Sequence, residues 1–211
     1  MRNIMFSWIA LCGLFLFTSA HAQPIEEGKN YISLRSPVAT QEPDKIEVVA
    51  LFWYGCPHCY QLEPTLEAWQ QKLPEDVNFI RVPAMFGGIW NLHGQLYYSL
   101  EAIGATEQLH AVIFDVIQNN KQRLATAAEI TDFVVKQGID KDSFEKAWNS
   151  FAVKSQLQKA KRLAIAYQIS GVPALAVNGI YTFDIASAGG LKETTEVADY
   201  LITHERNKLN N

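Results

Sequence analysis

The chain has 211 residues, 48% of them hydrophobic and 19% charged, with a net charge of −4 at pH 7. That length and balance suit one globular domain, or one domain carrying a large insertion, with enough apolar side chain for a real core. The acidic balance and the lack of a basic stripe leave nucleic-acid binding without electrostatic support.

The chain starts with a leader-like segment. Arg2 supplies a positive charge, residues 4–19 are nearly all apolar, and Ala20-His21-Ala22 fits a small-x-small cleavage site before Gln23. The apolar run is shorter than the roughly 20 residues a spanning helix needs, so an uncleaved anchor is the weaker reading. Cleavage after residue 22 makes the remainder more acidic by the loss of Arg2. It also removes Cys12, so that of three cysteines only Cys56 and Cys59 are left. Cys12 follows the large Leu11, which argues against lipid attachment. An exported protein with one cysteine pair is no disulfide scaffold, so the pair reads as chemical and not as a structural staple.

Residues 23–44 read as loosely structured, with a short edge strand at 31–34. Residues 45–53 form an apolar run of the kind found in a strand covered on both faces. A helix is predicted over 57–72, with Pro57 tolerated in the first turn because its missing N–H would be unpaired there. A turn and a second strand over 77–83 follow, and strand–helix–strand order implies a parallel pair. From Gly87-Gly88 to about Tyr167 the period is helical. One helix begins at Ala105-Thr106, Thr126 to Glu129 reads as a capping box, Gly138 ends that helix, and Asp140 caps the next. Phe144, Ala147, Trp148 and Phe151 fall at helical spacing and are expected in the core. Strand character returns over 174–177. Asn178-Gly179 signals a hairpin into 180–183, and an amphipathic helix over 191–207 closes the chain. The expected organisation is a leader over 1–22, an α/β domain over 23–88 and 168–211, and a helical insertion over 89–167.

The chemistry centres on Cys56-Pro57-His58-Cys59, placed where the strand gives way to the helix. A helix N-terminus carries partial positive charge and unpaired N–H groups, so a cysteine there is biased toward thiolate, the reactive species. Cys56 is therefore expected to be the more exposed of the two thiols, the nucleophile and leaving group, and Cys59, one turn in, the more buried partner. His58 adds positive charge beside Cys56, and Pro57 restricts the loop. A lower Cys56 pKa stabilises the reduced form and makes the disulfide a stronger oxidant. A zinc site is disfavoured because a second thiol pair is missing and His93, His110 and His204 lack ligand spacing. His93 reads as an ordinary packed or surface histidine and not a catalytic one. The second informative stretch is Gly171-Val172-Pro173-Ala174, a proline at the start of a strand.

With the order strand, Cys-Pro-His-Cys, helix, strand, helical block, Gly-Val-Pro and Asn-Gly hairpin, the chain resembles the DsbA family of periplasmic thiol oxidases. The resemblance covers essentially all of the chain after the leader. It rests most heavily on residues 52–60 and 171–174. It implies a thioredoxin-like α/β fold with an inserted all-helical domain, and a cis Val172–Pro173 bond beside the disulfide as a docking edge. It implies an enzyme that oxidises reduced, unfolded exported proteins through a mixed disulfide at Cys56. Reoxidation would come from a DsbB-like, quinone-linked membrane partner. The cofactor expectation is none beyond the redox-active disulfide, with no metal. The expected protein is a periplasmic monomer without stable membrane insertion. A disulfide isomerase or reductase of the same fold, and a non-catalytic chaperone with a structural disulfide, are the competing readings. One departure stands out: relatives often place an acidic residue six positions before the first cysteine, and here that position is Ala50. Arg81 then needs another partner, with Glu47, water or a surface carboxylate as candidates. The link over 184–190 is short, with Ile185 its only large apolar side chain, so a shallow groove is expected there. Met85 and Phe86 are expected to line the substrate surface instead.

Overall fold

The computed structural model describes residues 24–209. The expected leader and Cys12 lie outside them. In chain order the elements are β1 (Ile32–Ser33), β2 (Ile46–Phe52), α1 (Pro57–Gln70) and β3 (Val77–Pro83). Five helices follow: α2 (Ile89–Ala102), α3 (Thr106–Gln118), α4 (Ala127–Lys136), α5 (Lys141–Trp148) and α6 (Phe151–Ala166). The chain then returns to β4 (Ala174–Val177), β5 (Tyr181–Asp184), the short α7 (Ile185–Ala188) and α8 (Leu191–Leu209).

The strands form one sheet in the order β1-β5-β4-β2-β3. The β2–β3 pair is parallel, and β4 runs antiparallel to both β2 and β5. All seven residues of β2 are buried, which is why its sequence is apolar on both faces apart from Glu47 and does not alternate. Successive side chains nevertheless go to opposite faces. Val48 and Ala50 join a core with Leu62, Leu66, Val197 and Leu201 of α1 and α8. Val49 and Leu51 join a second core with Leu96, Leu100 and Ile113 of α2 and α3. The sheet is thus covered by α1 and α8 on one side and by the helical block on the other.

Local chemistry sets the element ends. Cys56, Thr126, Asp140 and Ser150 each cap a helix, their side chains accepting from the backbone N–H three residues on. The box at Thr126 closes differently from the expected one. Glu129 accepts from the Ala125 N–H at 2.7 Å, one residue earlier than a reciprocal box requires. Phe151 corrects a second expectation, for it is 85% exposed while Phe144 is fully buried. The helical spacing does not run through: Ser150 Oγ accepts from Val153 N–H at 3.1 Å and starts a new helix, turning Phe151 outward as its first residue. The Asn178-Gly179 hairpin forms, and the pairing of Val177 with Tyr181 makes its loop three residues long. Gly179 sits at φ +66, and a Cβ there would overlap the Val38 carbonyl, so glycine is required.

Candidate functional site

The site is assembled at the end of β2, where the buried strand delivers the chain to the N-terminus of α1. Between them the Cys56 N–H donates to the Trp53 carbonyl at 3.0 Å. This turn folds the Trp53 indole back over Gly55, leaving no room there for a Cβ. Trp53 stacks on Trp90 of α2 at 4.0 Å, which ties the turn to the helical block. Cys56 is then the N-cap of α1 and its sulfur accepts from the Cys59 N–H at 3.4 Å. Pro57 fills the first helical position, and His58 is exposed with Nδ1 3.4 Å from Gln61 Oε1. Cys59 is 2% exposed.

These surroundings separate the two thiols. The Cys56 thiol is lowered to about 6 from an ordinary 9.0. Donation from the Cys59 thiol is the largest cause; partial burial opposes it, and the N–H groups of Cys59 and His58 and the charge of His58 add to the lowering. Burial pushes Cys59 far above the ordinary thiol range, helped by its donation to Cys56 and by the Cys56 and Glu63 charges. Cys56 is thus the group able to exist as a thiolate near neutral pH, and Cys59 is the one held as a thiol.

The second informative stretch lies against the first. Cys56 Sγ is 3.4 Å from the Val172 carbonyl oxygen, and the Val172–Pro173 bond is cis. Beside them opens a depression of about 610 Å³, lined by Tyr31, Ile32, His58, Val172, Pro173 and Ile185 among others. It is larger than the short 184–190 link suggested, because β1 pairs with β5 and supplies the far wall. Met85 and Phe86 are not among its lining residues. Met85 is buried with its sulfur in the space left by Gly94, and Phe86 is 41% exposed against Trp90.

Arg81 finds its carboxylate on α1 and not at Glu47. Its guanidinium donates to Glu63 at 2.7 Å, to Gln70 at 2.6 Å and to Glu67 at 3.2 Å. Arg81 and Ala50 are register partners in parallel strands, so both face α1, whereas Glu47 faces the helical block. Glu47 is buried and accepts from the Gln41 N–H at 2.8 Å; its burial raises its pKa. Burial also pushes Glu63 upward, but His110 and Arg81 outweigh it and hold the carboxyl below its ordinary range. His110, passed over in the sequence for want of ligand spacing, lies with Nδ1 2.9 Å from the Tyr54 hydroxyl and Nε2 3.5 Å from Glu63. His93 is buried and donates from Nε2 to the Arg123 and Leu124 carbonyls, which makes it the packed and not the surface histidine. Among the described residues no group of three or more His, Cys, Asp or Glu side chains could hold a metal ion, and no helix is long and apolar enough to cross a membrane.

Comparison with known proteins bears on the same reading. Residues 91–196 match the DSBA-like thioredoxin domain. The thiol:disulfide interchange protein DsbA of Pseudomonas aeruginosa is 52% identical over 207 residues, covering 98% of each chain. Its counterpart from Azotobacter vinelandii is 54% identical over 212 residues, covering 98% of this chain and 99% of that one. The crystal structure of Pseudomonas aeruginosa DsbA superposes with a TM-score of 0.86 at 53% identity, over 88% of this chain and 97% of the other.

Proposed function

The chain belongs to the DsbA family of thiol:disulfide interchange proteins, with the family's thioredoxin fold and disulfide oxidoreductase activity, and from that premise we propose how its own residues divide the work. A substrate thiolate attacks Cys56 Sγ of the Cys56–Cys59 disulfide. The S–S bond breaks, its electron pair goes to Cys59, and that sulfur takes up a proton. A second substrate thiolate then attacks the substrate sulfur of the mixed disulfide and expels Cys56 as a thiolate. The substrate leaves oxidised by two electrons and the enzyme is left as the dithiol. The observation that carries these assignments is the Cys56 sulfur itself, capping α1 with its thiol lowered to about 6 and lying 3.4 Å from the Val172 carbonyl. A low-pKa thiol is the better leaving group and stabilises the reduced enzyme, which drives the transfer toward substrate oxidation.

In the same proposal His58 supplies positive charge next to the thiolate and Pro57 stiffens the loop. The substrate chain lies in the depression beside Val172 and Pro173. The sheet-bearing part spans 23–88 and 168–211, and 89–167 is the inserted helical domain. The substrates are reduced, unfolded proteins exported to the periplasm, where the chain acts as a monomer after loss of residues 1–22. A DsbB-like, quinone-linked membrane protein restores the disulfide, and no further cofactor takes part.

The test is oxidation of a reduced two-cysteine peptide by the oxidised protein. Cys59→Ala, pre-activated at Cys56 as a mixed disulfide with glutathione, should exchange glutathione for a one-cysteine peptide and hold it at Cys56, while a two-cysteine peptide resolves the same adduct with its second thiol. Cys56→Ala should be inert, and peptide oxidation at the wild-type rate by Cys56→Ala would sink the assignment.

A further inference from the structure

The buried thiol has to exchange a proton on every turnover. When substrate attacks Cys56, the Cys59 sulfur receives an electron pair and must be protonated; when the disulfide is rebuilt, the same sulfur must lose that proton. Cys59 is 2% exposed, so bulk water does not reach it freely. One helical turn on, Glu63 shares the Cys59 face of α1 and is itself 8% exposed.

The groups around Glu63 come from every element packed there. Arg81 of β3 donates at 2.7 Å, and the same guanidinium reaches Gln70 and Glu67 of α1. Glu67 has 58% of its side chain exposed, so this end of the network meets solvent. His110 of α3 stands on the other side, walled by the rings of Phe52, Tyr97 and Phe114. Its Nδ1 pairs with the hydroxyl of Tyr54, two residues before Cys56. With that hydroxyl donating to Nδ1, Nε2 keeps its hydrogen on the Glu63 side. Nε2 has no hydrogen bond of good geometry, and Glu63 Oε2 lies 3.5 Å from it. A row of polar groups thus runs under the cysteine loop from Tyr54 through His110 to Glu63, and Arg81 ties its far end to the exposed Glu67. The register partner of Arg81 on β2 is Ala50, so the carboxylate of this network is drawn from the helix and not from the sheet.

We infer that His110 is a positioning residue for the thiol chemistry: with Arg81 it fixes the Glu63 carboxylate beneath Cys59 and sets the charge against which that thiol gains and loses its proton. The inference rests on the oxidase reading above.

The test uses the reverse of the first step, which isolates Cys59. The mixed disulfide of Cys56 with glutathione is prepared in the full chain, and release of glutathione by Cys59 is followed from about pH 4 to pH 9. Glu63→Gln should slow release at pH 7 about a hundredfold and His110→Gln about tenfold, the latter with a displaced pH profile. Adding Ala50→Glu to Glu63→Gln returns a carboxylate beside Arg81 and should recover part of the loss. The thiolate absorbance midpoint of Cys56 should stay at its wild-type value in each variant. Superimposable pH profiles for wild type and both single variants overturn the inference, as does a rate loss matched by an equal shift of the Cys56 midpoint. If His110→Gln does not fold, as judged by circular dichroism, Glu63→Gln and its Ala50→Glu rescue decide by the same criteria. Failure of the wild type to oxidise a reduced peptide would instead strike the oxidase reading, a result separate from the release profiles.

Discussion

Taking the reduced protein from pH 7 to pH 5 should cost it stability that the oxidised protein keeps. The Cys56 thiol is lowered to about 6 from 9.0, chiefly by donation from Cys59 and against the opposing push of burial. For a group whose folded pKa is depressed, the contribution is complete above the unfolded value and is lost as pH falls through the folded one. The window here therefore runs from about pH 9 down through pH 6. Linkage between pH 7 and pH 5 amounts to about 1.4 kcal/mol. Solvent screening at the partly enclosed sulfur trims this to about 1 kcal/mol. The same amount is worth about 20 mV toward the oxidising side in a two-electron couple. Cys59, held far above the ordinary range, does not titrate in this window. Carboxylates and histidines are present in both redox forms and largely cancel in the difference. Urea unfolding of both forms at the two pH values measures it directly. A reduced-minus-oxidised difference unchanged within the error of extrapolation would refute the reasoning, as would a thiolate midpoint near the ordinary value of about 8.5.

Gly179→Ala combines a positive φ of 66 with overlap of the Val38 carbonyl, and should lose about 2 kcal/mol, seen as a Tm lower by about 5 °C. Phe144→Ala should cost about 4 kcal/mol, while Phe151→Ala, on an 85% exposed side chain, should stay within about 0.5 kcal/mol; equal losses would contradict the helix break at Ser150. Arg81→Met strands a buried carboxylate and should cost about 3 kcal/mol near neutral pH. Because Glu63 is held below its ordinary 4.5, that loss should be complete above about pH 4.5 and shrink as pH falls, which unfolding at pH 7 and pH 3 would reveal.

How far the sequence carried depended on whether a feature is local. The run that became β2 is legible because burial on both faces leaves apolar types at every position but Glu47, and Cys56 is legible as a cap because Pro57 and the change of period mark a helix start. Asn178-Gly179 announces its own turn through two positive φ values. Phe144 and Phe151 show the limit of periodicity: seven residues apart they share a helical face, unless a serine between them caps a new helix, as Ser150 does. That signal was present in the sequence and was outweighed by spacing. The depression beside Val172 had no local signal, since its walls come from β1, β5 and the segment before β4. His110 is similar: its partners lie 56 residues away at Tyr54 and on α1 at Glu63, so nothing near it in sequence distinguishes it from a packed histidine.

The Val172 carbonyl that faces the Cys56 sulfur lies 116 residues further along the chain. A chain synthesised or threaded through a pore from its N-terminus presents both thiols early, with β2 missing its β4 neighbour and the sulfur missing its oxygen. The cysteine pair therefore begins on an unfinished sheet, and meets the Val172 carbonyl only when the last fifth of the polypeptide arrives. In vectorial folding the site is completed from its far end, so a product truncated before Val172 would carry the Cys-Pro-His-Cys loop without the carbonyl that faces its sulfur.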